Sequence, residues 1–109
     1  MKITELVRVT GLTEIVLADG EREVLGVYIG DLLSWVMGRA SYGDAWITIM
    51  SNINTIAVAT LADVSTIILA EGVTLDDEVL TVAKAKGVNV LSSTKSAYEL
   101  AIDISKHLS

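Results

Sequence analysis

Ala45-Trp46-Ile47-Thr48-Ile49, Thr66-Ile67-Ile68-Leu69 and Val88-Asn89-Val90-Leu91 are short apolar runs, and a helical pattern follows each of them. Strands alternating with helices predict crossover connections, and such connections make the strands parallel. Parallel strands deliver their exit loops to one edge of the sheet, where open α/β sheets bind ligands. A site is expected on that edge.

The helix after the first run is predicted over roughly Asn54 to Val64. At 100° per residue Thr55, Thr60 and Asp63 share an arc, yet Ile56 and Ala59 fall inside it, so the outer face is itself partly apolar. In the second helix Thr74 and Asp77 have the spacing of a capping box, Val79, Leu80 and Ala83 form the inner stripe, and Gly87 closes it. The last helix opens with Ser96 and Glu99 in the same relation and turns Ala97, Leu100, Ala101, Ile104 and Leu108 inward. Upstream, Ile3, Leu6 and Val7 predict a short helix that Gly11 ends. Thr13 to Leu17 and Val24 to Ile29 read as extended, with Asp19-Gly20 turning the chain between them. That is a hairpin signal, lengthened by Glu21-Arg22-Glu23, and predicts a hairpin or two nearby strands at the sheet margin. Asp31 as N-cap and Gly38 as C′ residue leave under two turns of helix between them.

The expected architecture is therefore α/β. A mainly parallel sheet of about five strands carries helices on both faces, with an N-terminal helix and hairpin-like strands preceding three strand-helix units. The whole of residues 1–109 is expected to form one domain. A chain of this length buries roughly two-thirds of its unfolded surface. Its apolar fraction is 51% with no Phe, and an aliphatic core of that kind suits a sheet covered on both sides.

Eight basic against fourteen acidic residues give a net charge of −6, with no basic cluster to offset it, so nucleic acid and anionic lipid are not expected partners. The absence of cysteine excludes disulfides, a thiolate nucleophile and Fe–S ligation by this chain. The start of the sequence lacks the apolar stretch of a signal peptide. Trp46 to Ala62, the most apolar region, is interrupted by Thr48, Ser51, Asn52, Asn54, Thr55 and Thr60 and falls short of the roughly 20 apolar residues of a membrane span. No membrane association and a cytoplasmic location are the expectations.

The carboxyl edge would collect Gly30 and Asp31, then Ser51, Asn52 and Asn54, then Glu71 and Gly72, then Ser92, Ser93 and Thr94. Small hydroxyls, amides and carboxylates from four loops suit a shallow polar site, although each of these residue types also serves as a helix cap or turn former. Ile49 to Asn54 joins a buried strand to a helix N-terminus, where free N–H groups and the helix dipole favour an anion. No G-x-x-x-x-G-K-[ST] and no G-x-G-x-x-G occurs, and Lys95 is the only basic residue in these loops. His107, the sole histidine, sits at the C-terminus, so no Ser–His–Asp arrangement is expected. Asp76, Asp77 and Glu78 are read as first-turn carboxylates that complement a helix dipole, with metal binding a weaker alternative. No catalytic residue, metal or cofactor is assigned. Leu33, Trp35 and Met37 crowd a short helix with Leu32 and Val36, more than one helix face can bury. With Ile56 on the next helix they predict a homodimer or partner surface.

Val27-Tyr28-Ile29-Gly30-Asp31-Leu32-Leu33-Ser34-Trp35-Val36-Met37-Gly38, followed by Gly43-Asp44-Ala45-Trp46-Ile47-Thr48-Ile49, resembles the DRTGG-domain family, and more narrowly its small stand-alone members. The similarity continues through Leu91-Ser92-Ser93 and Ser96-Ala97-Tyr98-Glu99-Leu100. The family's naming motif is not intact, for its strand-to-helix position reads Thr48-Ile49-Met50-Ser51-Asn52-Ile53-Asn54. The resemblance implies an α/β fold, often paired as a homodimer. In larger relatives the domain accompanies CBS pairs in pyrophosphatases or precedes phosphotransacetylase catalytic regions, which implies a regulatory role. Stand-alone members are often labelled serine kinases through similarity to the N-terminal part of HPr kinase. The P-loop domain of that kinase has no counterpart in these residues, so kinase activity is not expected. Some relatives are encoded near iron-only hydrogenases, which implies a redox-linked accessory role.

Three functions follow in order of preference. The first is a non-enzymatic, homodimeric regulatory module that senses a small metabolite or nucleotide through Asp31, Thr48, Ser51, Asn52, Asn54, Ser92 and Ser93. The second is a structural partner of a redox enzyme such as an iron-only hydrogenase, using the Trp35 and Met37 surface. The third is a small enzyme working through Asp31 or Glu71, which would require both carboxylates in one cleft.

Overall fold

The computed structural model describes residues 1–108. Its sheet is built on β3 (Asp44–Thr48), all five residues of which are buried. A strand covered on both sides has no wet face, so its middle, Ala45-Trp46-Ile47, runs apolar instead of alternating. β2 (Gly26–Ile29) and β4 (Thr66–Leu69) flank it, both parallel to it, and β5 (Val90–Ser92) continues the parallel set beyond β4. β1 (Thr13–Val16) adds to β5 in the antiparallel sense, giving the order β1-β5-β4-β3-β2.

Two helical layers cover this sheet. On one face α2 (Leu33–Arg39), α3 (Ile53–Ala62) and α4 (Asp77–Lys86) pack Val36, Ile56, Val58, Ala59, Val79 and Ala83 against Trp46, Ile67, Leu69 and Val90. On the other, α1 (Ile3–Thr10) and α5 (Ala97–Ser105) pack Ile3, Leu6, Leu100 and Ile104 against Ala45, Ile47, Ile68 and Leu91. Alternate residues of β3 thus belong to opposite cores, as the two-residue repeat of a strand requires. Trp46 is wholly buried, and its indole Nε1–H donates to the Gly30 carbonyl at 2.8 Å, which satisfies the one polar atom it carries inside. No helix among the described residues is long and apolar enough to cross a membrane.

The mainly parallel α/β architecture agrees with the sequence pattern, but the hairpin does not form. β1 and β2 lie at opposite margins of the sheet. Residues 17–25 instead run as a strap along the amino edge. Asn89 Oδ1 accepts from the Asp19 N–H at 2.8 Å, while its Nδ2 donates to the Asp19 and Ser65 carbonyls at 2.8 and 3.0 Å. Ser65 Oγ donates to the carbonyls of Glu23 and Gly43. Arg22 donates to the Asp63 carbonyl and carboxylate at 2.6 and 2.7 Å. Glu23 meets Lys2 in an antiparallel bridge. The Asp-Gly turn signal is overridden because the following Glu21-Arg22-Glu23 finds partners on α1 and at the helix ends, not on β1.

Several helix ends shift for identifiable reasons. Asp31 is not the N-cap of α2, a position held by Leu32, because its carboxylate is engaged by Thr48 and Ile49. Gly38 lies inside α2, whose C-cap is Ala40. α3 stops at Ala62, where Asp63 turns left-handed at φ 56° and its N–H closes the last turn. At α4 the cap is Asp76, with no side-chain cap bond, so Thr74 and Asp77 form no capping box. The Ser96–Glu99 box does form.

Asn89 carries the longest-range of these ties. Asn89→Ala leaves the buried Ser65 carbonyl and the strap without their partner and is expected to lower unfolding free energy by about 2–3 kcal/mol. Chemical denaturation of the two proteins checks the difference.

Candidate functional site

The parallel strands β2, β3, β4 and β5 end on the same edge, and their exits follow in that spatial order. Asp31 leaves β2, the Ile49–Asn52 segment leaves β3, Glu71 and Gly72 leave β4, and Ser93 leaves β5. At about 4.8 Å per strand the row from Asp31 to Ser93 extends over about 14 Å.

At the β2 end Asp31 and Thr48 meet. Asp31 Oδ1 accepts from Thr48 Oγ1 at 2.9 Å and from the Ile49 N–H at 3.0 Å, and Thr48 Oγ1 in turn accepts from the Met50 N–H at 3.1 Å. Thr48 is buried and Asp31 is exposed, so the carboxylate keeps access to solvent while its threonine partner is held fixed. Asn52 caps α3, its Oδ1 accepting from the Thr55 N–H at 3.2 Å. Ser51 is half-buried and Asn54 exposed beside that cap.

At the other end, the β4 and β5 exits are tied together. The Glu71 N–H donates to the Lys95 carbonyl and the Gly72 N–H to the Ser93 carbonyl, each at 2.9 Å, while Ser93 Oγ accepts from the Lys95 N–H at 3.0 Å. Glu71 adopts φ 60°, a left-handed conformation that costs a non-glycine residue energy. Ser92 and Ser93 are half-buried within this second group and stand apart from Asp31 and Thr48. Lys95 does not serve the edge as a free cation: its Nζ lies 2.6 Å from Asp103 Oδ2. The hydrogen bond raises the lysine pKa and holds the Asp103 carboxyl below its ordinary value.

The sequence reading missed an apolar rim around the β2 end. Ile29, Leu32, Ile49 and Ile53 are 50%, 58%, 48% and 41% exposed, and all neighbour Asp31, Thr48 or Asn52 along the chain. Leu32 directly after Asp31, Ile49 directly after Thr48 and Ile53 directly after Asn52 were the signal available for it. A concavity of about 360 Å³ between α3 and α4 takes in Ile53 with Ile56, Ala57, Thr60, Leu61, Val82 and Lys86, and none of the polar edge residues lines it.

The expected partner surface divides. Trp35 and Met37 are 53% and 49% exposed, and the Arg39 guanidinium stacks 3.8 Å from the Trp35 ring. Leu33 is half-buried against the core, and Ile56 is only 1% exposed, so Ile56 is a core residue and no part of that surface. α2 packs on α3, which seals the stripe that the helical projection places among polar positions. Asp76 caps α4, with Asp77 and Glu78 in its first turn. No group of three or more metal-ligating side chains gathers among the described residues. His107 is exposed beyond the end of α5.

Capping and exposure give separable expectations. Asn52→Ala loses the α3 cap and should cost about 1 kcal/mol. Asn54→Ala, exposed in the first turn, should change stability by less than about 0.5 kcal/mol. Thermal or chemical denaturation of both variants checks this, and it identifies Asn54 as the safer probe of binding.

The sequence model of the DRTGG domain matches residues 5–107. Five solved chains match the fold. Among them are the CBS and DRTGG domains of the regulatory region of Clostridium perfringens pyrophosphatase, complexed with its activator diadenosine tetraphosphate. That match has a TM-score of 0.76 at 16% identity and covers 98% of this chain and 47% of the other. The chain thus spans about half the length of that regulatory region, and identity at this level establishes a shared shape. No curated protein sequence matches. With nearly its whole length under the family pattern, the chain belongs to the DRTGG-domain family.

Proposed function

We propose that this chain is a non-enzymatic regulatory module that senses a small ligand, of the nucleotide class, and works as a homodimer. The observation that supports the reading is the common edge of four parallel strands; the contacts proposed along it are Asp31 with the buried Thr48 behind it, then Ser51, Asn52 and Asn54, and, at the far end, Ser92 and Ser93. The row is long enough for an extended ligand. Leu32, Ile49 and Ile53 offer apolar contact for a flat base, and the first turn of α3 offers N–H groups to an anionic group. Family membership supports the regulatory role, and the pyrophosphatase region of similar shape was solved with a dinucleotide activator. Binding regulates only through unequal affinity for two arrangements of the module, since a ligand that fits both equally shifts nothing.

A second reading has its own observation. The exposed Trp35 and Met37 on α2 suit a protein partner, such as a redox enzyme that this chain helps to assemble. Trp35→Glu should then abolish co-purification with that enzyme while leaving the fold intact.

Thermal denaturation with ATP, AMP and diadenosine tetraphosphate, each at millimolar concentration, tests the first reading. A ligand present at a hundredfold its dissociation constant adds about 2.7 kcal/mol of stability, which appears as a rise of several degrees in melting temperature. The rise should disappear in Asn54→Ala. No shift with any of the three would overturn the nucleotide assignment.

A further inference from the structure

The two margins of the sheet are built differently. β1 carries the exposed Glu14, and its pairing with β5 is irregular between Glu14 and Val16. A charge and a bulge are the usual guards of a free strand edge. β2 has neither. From Val24 to Gly30 the chain holds no charged residue and no proline, and β2 pairs with β3 along a regular four-residue register. The Gly30 N–H donates to the Ile47 carbonyl in step with the β2–β3 register, so Gly30 and, by strand alternation, Tyr28 and Gly26 turn their backbone groups to β3, while at the entry to the strand the Leu25 N–H bonds the Gly43 carbonyl. Val27 and Ile29 then turn theirs outward, where no other strand meets them.

The side chains agree with the backbone. Val27 and Ile29 pair with Ala45 and Ile47, which places them on the sheet face covered by α1 and α5. Those two helices reach β3 but leave β2 largely uncovered: Val27 is half-buried and Ile29 is 50% exposed. Leu25, at the other end of the strand, is 62% exposed.

We infer that β2 is the dimer seam, pairing antiparallel with β2 of a second copy to make one continuous sheet. This rests on the homodimeric reading above and gives it a geometry. A two-fold axis through Val27 pairs Val27 with its own counterpart. Val27 then exchanges both hydrogen bonds with its counterpart in the second copy, and the exposed Leu25 lies opposite the exposed Ile29, twice over. The same patch serves both copies, as an isologous contact requires. Registers two residues away set a carboxylate opposite an apolar side chain: Leu25 against Asp31 in one direction, Glu23 against Ile29 in the other. The −6 chain repels its copy elsewhere, and this uncharged window is where two copies can approach.

Because the chain has no cysteine, Val27→Cys creates a single thiol on the proposed axis. Opposed residues at a hydrogen-bonded antiparallel position stand at about 5.5 Å between Cα atoms, within disulfide range. Mild oxidation should convert most of this variant to a covalent dimer on a non-reducing gel, while Ser34→Cys, exposed on α2, should stay monomeric on the same gel. In sedimentation, Ile29→Lys should shift the wild-type dimer to monomer with an unchanged circular dichroism spectrum. A monomeric wild type, or a dimer that survives Ile29→Lys and leaves Val27→Cys uncrosslinked, overturns the seam. Ligand-induced stabilisation is read separately, so loss of the seam with that stabilisation intact removes this inference alone.

Discussion

The amide of Asn89 and the hydroxyl of Ser65 hold the arrangement of the sheet in place. The nine residues from 17 to 25 must carry the chain from one margin of a five-stranded sheet to the other, a distance of about 19 Å. That is well within the reach of an extended segment of this length. Reach alone would leave a floppy connection with unpaired peptide groups lying across strand ends. Asn89, at the start of β5, and Ser65, at the start of β4, each bond the strap and a neighbouring backbone carbonyl at once. Arg22 adds the end of α3 through Asp63. The amino edge is therefore closed by polar ties, which leaves the opposite edge as the exposed one.

The division of labour between the edges has an energetic logic. Polar side chains on the amino edge are buried and satisfied, as Ser65, Thr66 and Asn89 show. Such groups are costly to disturb and give rigidity. On the carboxyl edge Asp31 and Asn54 keep solvent contact, and Glu71 is held in a left-handed conformation by its bond to the β5 exit. A rigid base beneath an accessible rim is the arrangement in which a ligand meets a fixed geometry without unfolding anything to reach it.

What could be read from the sequence was what local periodicity controls. The three strand-helix units, the Gly11 and Gly87 helix ends and the Ser96–Glu99 box all depend on residues within a few positions of one another. The misreadings depend on partners far along the chain. Asp31 looks like a cap until Thr48, seventeen residues on, claims its carboxylate. The Asp19-Gly20 turn looks like a hairpin until Asn89 binds it from seventy residues away. Ile56 fell in a polar arc of the projected helix because the arc takes no account of α2 lying over it. For the candidate site, the row of exits was legible from the order of the elements. The bond between Asp31 and Thr48 and the apolar rim were not, since both arise from how neighbouring strands align.

The pairing of Thr13 with Ser92 joins the beginning of the chain to nearly its end. During synthesis β1 has no strand to add to until β5 has left the ribosome. Between the synthesis of β1 and that of β5 the nascent chain therefore carries β1 without its partner strand. Completion of the sheet is a late, long-range closure of the kind that slows folding. Glu14 stands exposed on that waiting strand, where its charge would discourage a neighbouring nascent chain from taking the place meant for Val90-Leu91-Ser92.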